Sequence, residues 1–234
     1  MAMVTRGIVK TRSQAESYVK LGKVKIDGQI VTKPGYFVGS NSEISLSQEE
    51  LYVSRAALKL ASVARQLNLN FQDKIVLDVG SSTGGFTDYA IKHGAAKVIA
   101  VDVGTEQMHP NLRNNSKVEL HEKTDIRNLS KPTQGVDIVL IDVSFISLKE
   151  VLPAVAGLVG KNTQIVAMCK PQFEAGMADI NKGIIKNDTI RRKILSGFED
   201  WVKKLFIIAD KAESKVSGAK GNLEKFYLLK KRLK

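Results

Sequence analysis

Lysines and carboxylates stand where apolar segments of this chain stop. Asp142 ends the run "VDIVLID", Lys170 ends "IVAMCK", and Lys59 lies in the helical stretch ahead of the first strand. In a doubly wound sheet the carboxyl ends of the strands share one ligand edge, so Asp142 and Lys170 are expected to converge there. Two lysines beside an aspartate suit removal of a proton from a poor nucleophile such as a sugar hydroxyl. A neutral lysine can accept that proton, and desolvation or a neighbouring ammonium lowers a lysine pKa. Lys59 would supply the second charge, and Asp142 would steer the ammonium groups and hold the acceptor in line. Glu224, in "GNLEKFYLL" at the start of a late strand, is the candidate for orienting the lysines. Ordinary alternatives stand beside each role: Asp142 can cap a helix near Ser144, Lys170 can snorkel out of the sheet, and Glu224 can be one charge in a surface hairpin.

The second chemical signal is a glycine turn, "LDVGSSTGGFTD", residues 77–88. A dinucleotide loop places a glycine where this one has Ser82, and that glycine lets the backbone approach a pyrophosphate. Gly80, Gly84 and Gly85 still shape a strand-to-helix turn, with Phe86 and Thr87 opening the helix. A ligand with a ribose and an amino-acid end but no phosphate fits better, and S-adenosylmethionine is such a ligand. Asp78 at the strand end is expected in the hydrogen-bond network of its ammonium. Asp102 at the next strand end can accept both ribose hydroxyls, and Asp125 after the third strand can receive the adenine amino group. Two alternatives remain at this point: an ordinary strand–helix turn, and an NAD oxidoreductase, for which no hydride-handling acid or base stands out.

The elements that must position these groups follow from periodicity. "SRAALKLASVARQL" is an amphipathic helix with Ala57, Leu60, Ala61, Ala64 and Leu67 at helical spacing. Strands are expected at "KIVLDVG", "KVIAVDVG", "VDIVLIDVSF" and "TQIVAMCK", and near 206–216 and 224–231; helices are expected over 84–93, 146–158 and 188–204. Apolar, β-branched strands alternating with helices predict an α/β fold whose parallel sheet is covered on both faces. The segment 174–188, "EAGMADINKGIIKND", reads as a flap over the site. Phe173 and Glu174 lie where they can meet an extruded base or shape the acceptor pocket, or simply pack in the core.

Residues 1–46 read as a separate module, joined by a linker over 47–53 to a domain over 54–234. Between residues 1 and 38, Arg6, Lys10, Arg12, Lys20, Lys23, Lys25 and Lys33 face two acids, a net of +5. "SQAE" from Ser13 predicts a capping box with Ser13 as N-cap, and Gly22 predicts the helix end. "VKIDGQIV" predicts a hairpin turning at Asp27–Gly28, and Pro34–Gly35 a second turn. Residues 203–234 carry ten Lys/Arg against three acids. The whole chain of 234 residues has a formal charge of +12, which points to a polyanionic partner, nucleic acid before membrane. One cysteine, Cys169, excludes an internal disulfide and suits a reducing, cytoplasmic setting. Scattered histidines predict no metal site, and no apolar run approaches the ~20 residues of a membrane helix.

"GIVKTRSQAESYVKLGKVKIDGQIVTKPG" resembles the S-four-type RNA-binding domain through Thr11, Arg12, Ser13, Ala15, Gly22, Val24, Ile26, Asp27 and Gly28. By that resemblance the first helix of the α+β module is truncated, with only its end near "VTRG" remaining. Lys59 in "SRAALKL", Asp142 in "IDVSF", Lys170 in "CKPQFE" and Glu224 in "GNLE" resemble the Lys-Asp-Lys-Glu tetrad of FtsJ-like ribose 2′-O-methyltransferases. Together the two parts resemble the TlyA family, also labelled hemolysin A. The resemblance implies a Rossmann-like methyltransferase sheet, mostly parallel, seven-stranded, with the last strand antiparallel. It implies S-adenosylmethionine-dependent 2′-O-methylation of ribosomal RNA, with cytidine as target and ribosomal RNA or ribosomal subunits as partners. Lys170 would be the proton acceptor, positioned and tuned by Lys59, Asp142 and Glu224. The competing functions are an RNA-binding protein without catalysis, which needs both basic ends but no tetrad, and a membrane-active hemolysin.

Overall fold

The computed structural model describes residues 1–9, 11–46, 52–175, 184–185, 187–218 and 221–232. Lys10, nearly all of the expected linker and most of the expected flap lie outside these residues.

The N-terminal module begins with a short helix α1 (Ala2–Thr5) and continues with α2 (Arg12–Lys20) and a three-stranded antiparallel sheet of β1 (Val24–Ile26), β2 (Gln29–Val31) and β3 (Ile44–Leu46), in the order β2-β1-β3. The expected N-cap at Ser13 is corrected. Thr11 has extended backbone and its hydroxyl accepts from the Gln14 amide at 3.1 Å, so α2 starts earlier. "TRSQ" carries the capping spacing as well as "SQAE" does, and the extended residue wins. At the other end Gly22 adopts φ +66° and the Lys23 amide closes onto Tyr18, ending the helix as expected. The hairpin also forms as expected: Asp27 and Gly28 have φ of 51° and 81°, the paired positive values of a tight turn matched to strand twist.

The larger part is a seven-stranded sheet ordered β6-β5-β4-β7-β8-β10-β9. Its strands are β4 (Ile75–Val79), β5 (Lys97–Val101), β6 (Val118–His121), β7 (Ile138–Ile141), β8 (Gln164–Cys169), β9 (Phe206–Glu213) and β10 (Lys225–Lys231). Parallel pairing runs from β6 through β8, and the last strand, β10, inserts antiparallel between β8 and β9. Among the described residues the remaining helices are α3 (Arg55–Ala64), α4 (Gly85–Lys92), α5 (Pro110–Arg113), α6 (Leu148–Leu158), α7 (Pro171–Glu174) and α8 (Asp188–Val202), with a 3-10 turn at Ile126–Asn128.

Strand alternation divides the core into two layers. Val76, Val98, Ile138, Leu140, Val166, Met168 and Phe226 face one side, where α3 supplies Leu58, Leu60 and Val63. Leu77, Val79, Ile99, Val139, Ile141, Ile165 and Tyr227 face the other, against Leu148, Val151 and Leu152 of α6 and Leu195 and Phe198 of α8. The first layer runs on into the N-terminal module through Tyr52 and the fully buried Tyr18. Arg55 reinforces this joint, its guanidinium donating to Ser17 Oγ at 3.4 Å on α2 and to the Ser217 carbonyl at 2.9 Å. The basic module therefore packs onto the helix that carries Lys59.

Candidate active site

Two buried lysine–carboxylate pairs meet at the carboxyl edge of the sheet. Lys170, directly after β8, lies 2.6 Å from Asp142, directly after β7. Lys59 of α3 lies 2.6 Å from Glu224, which immediately precedes β10. The side chains are 12% and 3% exposed for Lys59 and Glu224, and 10% and 15% for Lys170 and Asp142. Burial raises the Glu224 carboxyl above its ordinary range, with Lys59 and Lys170 opposing that rise and Asp142 adding to it. Glu224 thus senses all three other members, and the four expected residues form one electrostatic unit. The antiparallel insertion of β10 beside β8 makes this possible, since it brings the start of the last strand next to the end of β8 (Lys225 pairs with Cys169).

The glycine turn lies against this unit. Gly80 has φ +82°, and a side chain there would meet the Asp142 carbonyl at 2.7 Å, so this position takes glycine for both conformation and space. Asp78 is fully buried; its carboxylate accepts from Thr87 Oγ1 at 2.6 Å, and burial pushes its pKa up to about 7. Asp78 Oδ1 and Ser81 Oγ are buried and have no hydrogen-bond partner among the described residues. Such orphaned atoms cost free energy unless a ligand group satisfies them. An ammonium and a carboxylate, the two ends of an amino acid, suit an orphan carboxylate oxygen and an orphan hydroxyl.

Two adjoining cavities of about 420 and 140 Å³ share Gly80, Ser82, Asp142 and Ser144. Asp102 and Asp125 line the larger, and Asp78, Gly85, Phe86 and Lys170 the smaller. Asp102 already accepts from the amides of Ser82 at 2.8 Å and Gly104 at 2.7 Å, tying the end of β5 to the glycine turn. Asp125 caps the 3-10 turn and pairs with Arg127, which holds its carboxyl below the usual range. Gly84 and Thr87 line neither cavity: a side chain on Gly84 would strike Leu112 and Met108, and Thr87 is bound to Asp78. Gly85 allows close packing of α4 on Ser54 and Ala56, and Phe86 packs on Phe226 in the core.

Ser144 and Phe145 escaped sequence reasoning. Ser144 Oγ accepts from Lys170 Nζ at 2.8 Å. Phe145 is 92% exposed at the larger cavity, holds φ +66°, and stands 5.2 Å from Phe173 between ring centroids. A positive φ is costly for a bulky residue, and a loop position in "DVSF" carries no periodic signal that would announce it. Glu174 has a structural role: it accepts from Ser147 Oγ at 2.5 Å and from the Leu148 amide at 2.7 Å, capping α6.

Among the expected RNA contacts, Arg6 donates to the carbonyls of Gly39, Ser40 and Ser42, pinning that loop. Arg12 pairs with Glu16 at 3.2 Å, its side chain 75% exposed. Lys20, Lys23 and Lys33 are exposed and Lys25 is half-buried on the hairpin. No helix among the described residues is long and apolar enough to cross a membrane.

A sheet of this order, with a glycine turn and acid–base pairs gathered at its ligand edge, is that of a Rossmann-like methyltransferase. The FtsJ-like methyltransferase model matches residues 52–232 and the S4 domain model residues 1–44. The chain belongs to the FtsJ-like methyltransferase family and carries an S4 domain in front. It is 36% identical over 228 residues to Hemolysin A of Brachyspira hyodysenteriae, covering 94% of each chain. It is 35% identical over 235 residues to the 16S/23S rRNA (cytidine-2′-O)-methyltransferase TlyA of Mycobacterium tuberculosis, covering 97% of this chain and 87% of that one. A solved Streptococcus thermophilus structure described as a hemolysin superposes with a TM-score of 0.74 at 38% identity, covering 98% of this chain and 86% of the other.

Proposed function

We propose that the protein transfers a methyl group from S-adenosylmethionine to the ribose 2′-oxygen of a cytidine in ribosomal RNA. The carrying observation is the convergence of Lys59–Glu224 and Asp142–Lys170 beside the glycine turn. S-adenosylmethionine supplies an electrophilic methyl and leaves as a neutral thioether that keeps the carbon–sulfur electron pair. Asp78 and the orphan Ser81 hydroxyl suit its amino-acid end, and Asp102 and Asp125, both on the larger cavity, suit ribose and adenine. Lys170 Nζ takes the proton of the 2′-hydroxyl as the oxygen gains its methyl. Asp142 holds that amine in place, and the Lys59–Glu224 pair fixes the charge around it. Alignment of acceptor and donor supplies much of the rate, and a base adds about 10²–10⁴-fold.

Cytidine and ribosomal RNA enter from the name of the Mycobacterium tuberculosis relative, and the S4 domain with the basic charge of the chain supports an RNA partner. The exposed Phe145, beside Phe173 at the cavity, suits stacking of an extruded base. Labelled methyl transfer to ribosomal subunits tests the reading: wild type transfers, and Lys170→Ala abolishes transfer with S-adenosylmethionine affinity retained. No transfer to either subunit or to naked rRNA overturns it.

A further inference from the structure

The amine of Lys170 donates to Ser144 Oγ at 2.8 Å and forms an ion pair with Asp142 Oδ1 at 2.6 Å, an oxygen that takes no directed hydrogen bond among the described residues. A protonated amine has three N–H bonds; a neutral amine has two and one lone pair. The bond to Ser144 fixes rotation about Cε–Nζ, and in the neutral amine the Asp142 carboxylate repels a lone pair turned toward it, so the lone pair is directed to the remaining tetrahedral position. With Asp142 alone, the amine turns about its Cε–Nζ bond and the lone pair sweeps a cone. We propose that Ser144 is a positioning residue that fixes the orientation of the Lys170 lone pair toward the acceptor hydroxyl. The inference rests on Lys170 being the proton acceptor.

The surrounding structure holds Ser144 for this task. It sits between Asp142 and Phe145, on the wall common to both cavities. On one side its loop packs against Gly80, where no side chain fits between the turn and the Asp142 carbonyl. On the other, Glu174 clamps Ser147 and Leu148 to α7, the helix that Lys170 leads into. Both the donor and the acceptor of the Lys170–Ser144 bond are therefore tied to the same rigid frame. Preorganisation of this kind lowers the barrier without tightening substrate binding, so its signature is a change in kcat alone.

The experiment measures kcat, KM for RNA and the dissociation constant of S-adenosylmethionine for wild type, Ser144→Ala, Ser144→Thr and Lys170→Ala. The expected result is a kcat lower by about tenfold in Ser144→Ala, the worth of one hydrogen bond, with cofactor and RNA affinities unchanged. Ser144→Thr restores the hydroxyl and most of the rate. An unchanged kcat in Ser144→Ala with an inactive Lys170→Ala overturns the positioning role and leaves the acceptor role standing. Weaker cofactor binding in proportion to the lost rate makes Ser144 a ligand contact and overturns the inference. Equal loss in the Ala and Thr variants also overturns it, since the hydroxyl is then not the cause. An active Lys170→Ala overturns the acceptor role and this inference with it.

Discussion

Asp78 offers the sharpest test of how the cofactor end of the site is built. Its carboxyl is fully buried, and burial lifts its pKa from the usual 3.8 to about 7. Because the folded value exceeds the unfolded one, this group's stability contribution is fully present below pH 3.8 and is lost as pH rises to about 7. Asp78→Asn removes the titration and keeps an oxygen to accept from Thr87. The shift corresponds to a ceiling of about 4 kcal/mol at pH 8 in the ligand-free protein. The advantage of Asn over Asp should therefore grow by about 3 kcal/mol between pH 5 and pH 8. Urea unfolding at both pH values reads this directly. The same variant should bind S-adenosylmethionine about 10- to 100-fold more weakly at pH 8, because an amide replaces a charged acceptor for the ammonium. Calorimetric titration reads that loss. Equal stability effects at the two pH values, or cofactor affinity unchanged by Asn, would refute the argument that Asp78 is a strained carboxylate awaiting a cation.

Gly80→Ala should weaken cofactor binding and lower stability by roughly 1–3 kcal/mol, since the new carbon meets the Asp142 carbonyl at 2.7 Å with φ at +82°; thermal melts with and without cofactor check it. Arg12→Ala should weaken RNA binding and reduce its salt slope by about one, while cofactor affinity and melting temperature stay near wild type, because the pair with Glu16 is exposed. Equal loss of both affinities would mark a folding defect instead. Lys59→Met should destabilise the protein by about 3–5 kcal/mol by leaving Glu224 buried without its partner; chemical denaturation at pH 7 measures it, and a change under 1 kcal/mol would place the pair in contact with water.

Much of the architecture was legible because burial writes itself into residue period. Strands such as Ile75–Val79 and Gln164–Cys169 are apolar runs, and α3 repeats its apolar residues at helical spacing. The Asp27–Gly28 turn was legible because few residues tolerate its dihedrals. The cap of α2 was misplaced because "TRSQ" and "SQAE" overlap, and only the backbone conformation of Thr11 decides between them. Of the two glycines expected to serve the ligand, Gly84 lines neither cavity, and its missing side chain makes room for Met108 and Leu112; Gly85 lines the smaller cavity and also lets α4 pack on Ser54 and Ala56, contacts set by other parts of the chain.

The residue types at the site belong to the sequence: an aspartate and a lysine at strand ends, a lysine on the preceding helix and a glutamate late in the chain. The meeting of Asp142 with Lys170 was legible from their strand ends, whereas the pairing of Lys59 with Glu224 was decided by the tertiary structure. Periodicity reports which face of an element is apolar, and carries nothing about which strand lies beside which. Only the insertion of β10 between β8 and β9 sets Glu224 against Lys59 and within electrostatic reach of Lys170. The same holds for Ser144 and Phe145, two loop residues whose importance comes from what the folded chain places opposite them.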